Sequence, residues 1–155
     1  MAQKVVVNGV KLLIQLRIKN GQPYAPYSVS NWSSEMKWGN LDNIEPSERL
    51  LYWALIFVLG PYFDEPIDHW LKKILKRGGG VGGDPGWEIE QVDGSAGEEC
   101  FRVWADPDVS GIEPSEWEYS GDVVRRAVRD SLQALSAAHP EKLSEVNRVI
   151  SKYGL

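Results

Sequence analysis

The sequence predicts an α+β fold: an antiparallel or mixed sheet packed with about four helices, the last two forming a C-terminal helical hairpin. Three observations carry this. Apolar and polar residues alternate with period two near the start of the chain and again between Trp87 and Ala105. Apolar residues recur at helical spacing in the middle and through the last third. Asn-Gly pairs, a glycine-rich run and isolated prolines separate these stretches. At 155 residues, 43% hydrophobic and 25% charged, the chain has the composition of an ordinary folded protein, and its length predicts a single domain, residues 1–155.

The elements follow in order. Val5 to Val7, Asn8-Gly9 and Val10 to Ile18 read as a β-hairpin, because both central residues of a type I′ turn must tolerate positive φ. Leu12, Ile14, Leu16 and Ile18 share one face of the second arm, and Asn20-Gly21 predicts the next turn. Residues 22–45 read as packed loop, with one short strand near Tyr27 to Trp32. A helix should begin at Pro46-Ser47 and run through Leu50–Leu59, apolar all round and therefore central, until Gly60-Pro61 ends it. Ile67, Trp70, Leu71, Ile74 and Leu75 predict a second helix over 65–77, with acids at its start and Lys72, Lys73, Lys76 and Arg77 at its end.

Residues 78–86, GGGVGGDPG, carry too little side-chain surface to order themselves and read as a flexible loop or hinge. Trp87–Val92 and Glu98–Ala105 then read as two half-buried strands. Trp87, Ile89, Phe101 and Val103 lie on inner faces; Glu88 and Glu90, and then Cys100, Arg102 and Trp104, lie on the opposite faces. Val124, Val128, Leu132 and Leu135 mark a long helix. After His139-Pro140, Leu143, Val146, Ile150 and Tyr153 mark another, and so short a break predicts an antiparallel pair.

Charge is distributed unevenly. Glu88 to Asp122 holds eleven acids against Arg102, a net charge of −10 in 35 residues, while the rest of the chain sums to +5. Such a block sets up a negative field that steers a basic partner, and the aromatics within it supply apolar anchors. The candidate partner-binding residues are Glu88, Glu90, Glu98, Glu99, Asp106, Asp108, Glu116 and Glu118 as charges, with Trp104, Trp117 and Tyr119 as anchors.

Catalytic constellations are not apparent, and the sequence is read as a binder with no catalytic residues and no cofactor. Cys100 stands beside acids that raise a thiol's pKa. Glu65 and His69 at i,i+4 offer two ligands where a catalytic metal site needs at least three, so no metal is expected. The glycine run matches G-x-G-x-x-G literally, but a helix precedes it and Asp84-Pro85-Gly86 follows, the wrong context for a phosphate site. The basic patches are short and the acidic block repels phosphate, so direct nucleic-acid binding is not expected. The longest apolar run is ten residues, against the roughly 20 a membrane helix needs. One cysteine and no visible targeting segment suggest the cytoplasm.

The closing stretch SGDVVRRAVRDSLQALSAAHPEKLSEVNRVISKYGL, together with the small acidic α+β build, resembles the immunity proteins of bacterial polymorphic toxins, the contact-dependent growth-inhibition type in particular. That resemblance implies a specific inhibitor of one cognate toxin domain, often a nuclease. The family has no common binding motif, so the residues above rest on charge and aromatic content alone. Two other readings stay open. One is a small hydrolase using carboxylates of the same block, which requires two of them to converge in a cleft. The other is an adaptor binding through its C-terminal helices, which requires an exposed stripe at Leu132, Leu135, Val146 and Ile150.

Overall fold

The structure, a computed structural model, describes residues 39–60 and 65–155, and the backbone of four strands within residues 2–24. Strand β1 (Ala2–Val7) pairs antiparallel with β2 (Val10–Gln15), Val7 opposite Val10, as Asn8-Gly9 predicts. The long second arm expected from Val10 to Ile18 is divided. Register places Ala2 opposite Gln15, so β1 runs out there. The chain resumes as β3 (Arg17–Lys19), which pairs instead with β4 (Gln22–Tyr24) around Asn20-Gly21. The strand expected near Tyr27 to Trp32 lies outside the described residues.

Helix α1 (Arg49–Leu59), entered through a 3-10 turn at Pro46–Glu48, is the centre of the core. Nine of its eleven residues are buried, from Leu50 and Leu51 through Trp53–Leu59. Gly60 ends it in an extended conformation, φ −56° and ψ 133°, because the ring of a following proline disfavours helical backbone. Trp53 packs on Phe57 at 4.7 Å between ring centroids, and Phe57 stacks on Trp87 at 6.1 Å, joining the helix to the sheet.

The second helix is shorter than the spacing predicts. Only α2 (Leu71–Ile74) is α-helical; Ile67, Leu71 and Ile74 still reach the core from consecutive turns. Tertiary pairing accounts for the difference. Asp68, expected as a helix-start acid, is instead drawn under the C-terminal helix, where it meets Lys152 and Tyr153.

Part of the stretch expected at 78–86 as a flexible loop or hinge is a strand. Gly80–Gly83 form strand β5, paired antiparallel with β6 (Trp87–Asp93), and the Gly86 N–H closes the turn on the Gly83 carbonyl at 2.9 Å. The run that lacks side-chain surface gains order from its neighbour's backbone. Strand β7 (Glu99–Ala105) follows, then the single turn α3 (Pro107–Ser110), then β8 (Glu116–Ser120). The sheet is antiparallel throughout, in the order β5-β6-β7-β8.

Helix α4 (Gly121–Ala138) starts directly from β8, with the Ser120 hydroxyl accepting from the Val123 N–H. Its Val124, Val128, Leu132 and Leu135 are buried, as their spacing predicts. Helix α5 (Leu143–Tyr153) folds back along it. Arg125, near the start of α4, donates to the carbonyl of Tyr153 at the end of α5, so the two form the expected antiparallel hairpin. On α5 the buried residues are Val146 and Val149, whereas Leu143, at the first helical position, is exposed.

One face of the sheet, carrying Trp87, Ile89, Phe101, Val103 and Tyr119, is buried in the same core as α1 and α4. The architecture is the α+β arrangement predicted, with the opposite sheet face turned to solvent.

Candidate functional site: the outer face of the sheet

Strand register decides what stands together on the solvent face. Gly82 lies opposite Glu88, Glu88 opposite Trp104, and Trp104 opposite Glu116. Two residues along each strand lies a second row: Gly80, Glu90, Arg102 and Glu118. A third holds Val92, Cys100 and Ser120. Alternation along a pleated strand puts all of these on one side. Glu88, Glu90, Arg102, Trp104 and Glu116 line an open depression of about 350 Å³. Trp104 is 36% exposed within it.

The first two rows contain four carboxylates and one guanidinium. Arg102 pairs with Glu90 and faces Glu118 across the strand. Glu88 and Glu116 flank the Trp104 ring, with no cation in their row among the described residues. Gly80 and Gly82 keep the β5 side of both rows free of side chains. A Cβ on Gly80 would come within 2.9 Å of the Glu90 Cβ, and one on Gly82 within 2.7 Å of the Trp87 carbonyl oxygen.

The remaining candidates are placed elsewhere. Glu99 is taken up internally: Arg125 donates to both of its carboxylate oxygens, at 3.1 and 3.0 Å, and Gln91 adds a third bond. Glu98 holds the β6–β7 turn by accepting from the Ala96 N–H at 2.8 Å. Asp106 caps α3 by accepting from the Asp108 N–H at 2.9 Å, and Asp108 itself is exposed on that turn. Trp117 is 54% exposed but lies opposite Val103, so its register assigns it to the other side of the sheet. Tyr119 does not serve as a surface anchor. It is 6% exposed, its ring packs in the core, and its hydroxyl donates to the Ser47 carbonyl at 2.9 Å. Burial pushes its phenol up to about 12.

The sequence pattern assigned Glu88, Glu90, Arg102 and Trp104 correctly to outward positions. It missed Gly80 and Gly82, which read as linker until backbone pairing aligned them with the glutamates. It also missed Asp68, a 5% exposed carboxylate that accepts from Lys152 at 2.7 Å and from the Tyr153 hydroxyl at 2.9 Å, with Arg148 at 3.7 Å. Burial alone would raise the Asp68 carboxyl, but these hydrogen bonds and cations hold it below its ordinary value. Cys100 is raised by loss of solvation and by the charges of Glu98 and Glu118, the direction expected of a thiol among acids.

Comparison with protein-family models, with curated proteins and with solved structures finds no match to this chain.

Among the described residues no group of three or more His, Cys, Asp or Glu side chains could hold a metal ion; Glu65 and His69 approach to 3.5 Å as a pair only. No helix of the described residues is long and apolar enough to cross a membrane. On α4, Arg125 pairs with Glu99, Arg126 with Glu48 and Arg129 with its neighbour Asp130. The apolar stripe that an adaptor would need on its C-terminal helices is turned inward, with Leu132, Leu135 and Val146 all buried and Ile150 packed against the same core.

Proposed function

We propose that this protein is an inhibitor of the immunity-protein kind, which binds and neutralises a basic toxin domain in the cytoplasm through the outer face of its β5–β8 sheet. The observation that carries the reading is the composition of that face: Glu88, Glu90, Glu116 and Glu118 around one guanidinium, with the exposed Trp104 among them. Like charges held on a rigid sheet raise the encounter rate with a cationic surface, and an exposed tryptophan contributes apolar contact once water is expelled. Of the remaining acids, Glu98 holds a turn, Asp106 caps a helix and Glu99 pairs internally, so the proposed surface is narrower than the acidic segment itself.

A hydrolase would draw on the same carboxylates, and the depression they line is open rather than cleft-like, which favours a docking surface. The test is co-expression with the product of the gene immediately upstream, scored as rescue from toxicity. The reading expects rescue by the wild-type chain and loss of rescue when Glu88, Glu116 and Glu118 are all changed to Lys. Full rescue by that triple variant, with normal expression and fold, would overturn it.

A further inference from the structure

The geometry points to the Glu88–Trp104–Glu116 row as a seat for a single arginine side chain of a protein partner. This rests on the proposed binding of a basic domain, and it names the group that the outer face selects.

The two rows are built alike but filled differently. In one, Arg102 of this chain occupies the middle strand, paired with Glu90 on one side and opposite Glu118 on the other. In the next row, the same two flanking strands again present glutamates, but the middle position is Trp104. Strands lie about 4.8 Å apart, so Glu88 and Glu116 stand about 10 Å from one another with the indole between them. A planar guanidinium laid over that indole gains the attraction between a cation and the ring face. It also lies within reach of a carboxylate on each side and can take paired N–H···O bonds from either. Arg102 thus shows within this sheet what the row beside it lacks.

Access is open from one direction. Gly82 ends the row on β5 without a side chain, and Gly80 does the same beside Glu90. Among the described residues, no side chain of β5 stands in the way of a long side chain entering over that strand. A lysine would satisfy the charge, but its point-like ammonium matches neither the plane of the ring nor a two-oxygen carboxylate.

The test uses the whole protein and follows the indole N–H resonance of Trp104, assigned by its loss in Trp104→Phe. The probes are N-acetylated, C-amidated arginine, lysine and citrulline at constant ionic strength. A saturable shift is expected with arginine, a weaker one with lysine, and one weaker by about tenfold with citrulline, which keeps the shape and loses the charge. The Glu88→Gln/Glu116→Gln double variant should lose the arginine response to a similar degree. No saturable shift, an equal response to lysine or citrulline, or an undiminished response in the double variant would each overturn the assignment. Rescue that depends on the three glutamates, with no arginine preference at Trp104, would leave the basic-partner reading standing and remove this one alone.

Discussion

Asp68 shows how one residue's role depends on what folds against it. In sequence it sits among Asp64, Glu65 and His69 and reads as a helix-start acid. In the structure it is a buried carboxylate shared by Lys152, Tyr153 and Arg148 of the last helix. Removing the charge from such a node takes the shared anion from the Tyr153 hydroxyl and from the half-exposed Lys152 and Arg148. Asp68→Asn is expected to cost about 1–2 kcal/mol at pH 7, measured by urea unfolding. Its pKa is lowered on folding, so its contribution is fully present above the unfolded value of about 3.9 and is lost as pH falls through the folded one. The gap between wild type and Asp68→Asn should therefore narrow at acid pH; a constant gap down to pH 2 would contradict the pairing. Tyr119 acts at the other end of the scale. Its phenol is raised from 10.0 to about 12, so its contribution is complete below pH 10 and is lost as pH rises through the folded value. A spectrophotometric titration should show Tyr119→Phe losing a late-ionising phenol.

Strand β5 is the element whose character changes most between sequence and structure. Gly80–Gly83 has one apolar side chain, Val81, and by composition reads as linker. It is ordered through backbone pairing with β6 and through Val81, which packs on the core. The Gln91 N–H donates to the Gly79 carbonyl, and alternation along an antiparallel ladder then assigns the bonded positions to Val81 and Gly83, with Gly80 and Gly82 pointing away from β6. Hydrogen exchange should find the Val81 amide protected and those of Gly80 and Gly82 fast. Uniformly fast exchange across 80–83 would restore the linker. Gly82→Val should cost roughly 1–3 kcal/mol, since its Cβ would press on the Trp87 carbonyl.

For the molecule as a whole, the sign and placement of charge matter more than its total. The net charge is only −5, yet one sheet face concentrates four carboxylates while α4 directs two arginines to internal partners. Association with a basic partner should slow as salt rises, because exposed charges are screened beyond about 10 Å at 0.1 M. Stopped-flow association rates between 50 mM and 500 mM salt measure this, and a flat dependence would show that the face does not steer. Replacing the three glutamates Glu88, Glu116 and Glu118 by Lys should change folding stability by little, roughly 0.5 kcal/mol per site, since their side chains lie on the surface.

Local pattern was enough for much of this protein. Alternation in Trp87–Ala105 assigned inner and outer residues. The apolar run Leu50–Leu59 marked the central helix, and the stripe of Val124, Val128, Leu132 and Leu135 marked the long one, because side-chain periodicity follows from backbone geometry within a single element. Which elements meet is a different kind of information. The alignment of Gly82, Glu88, Trp104 and Glu116 depends on register between four strands, the withdrawal of Glu99 depends on Arg125 from a helix 26 residues away, and the burial of Asp68 depends on the end of the chain. Those contacts join residues far apart in sequence, and no local propensity encodes them. The acidic segment was therefore legible from composition, while the division of its carboxylates between surface and internal bonds was settled only when the sheet paired and the helices closed over one side of it.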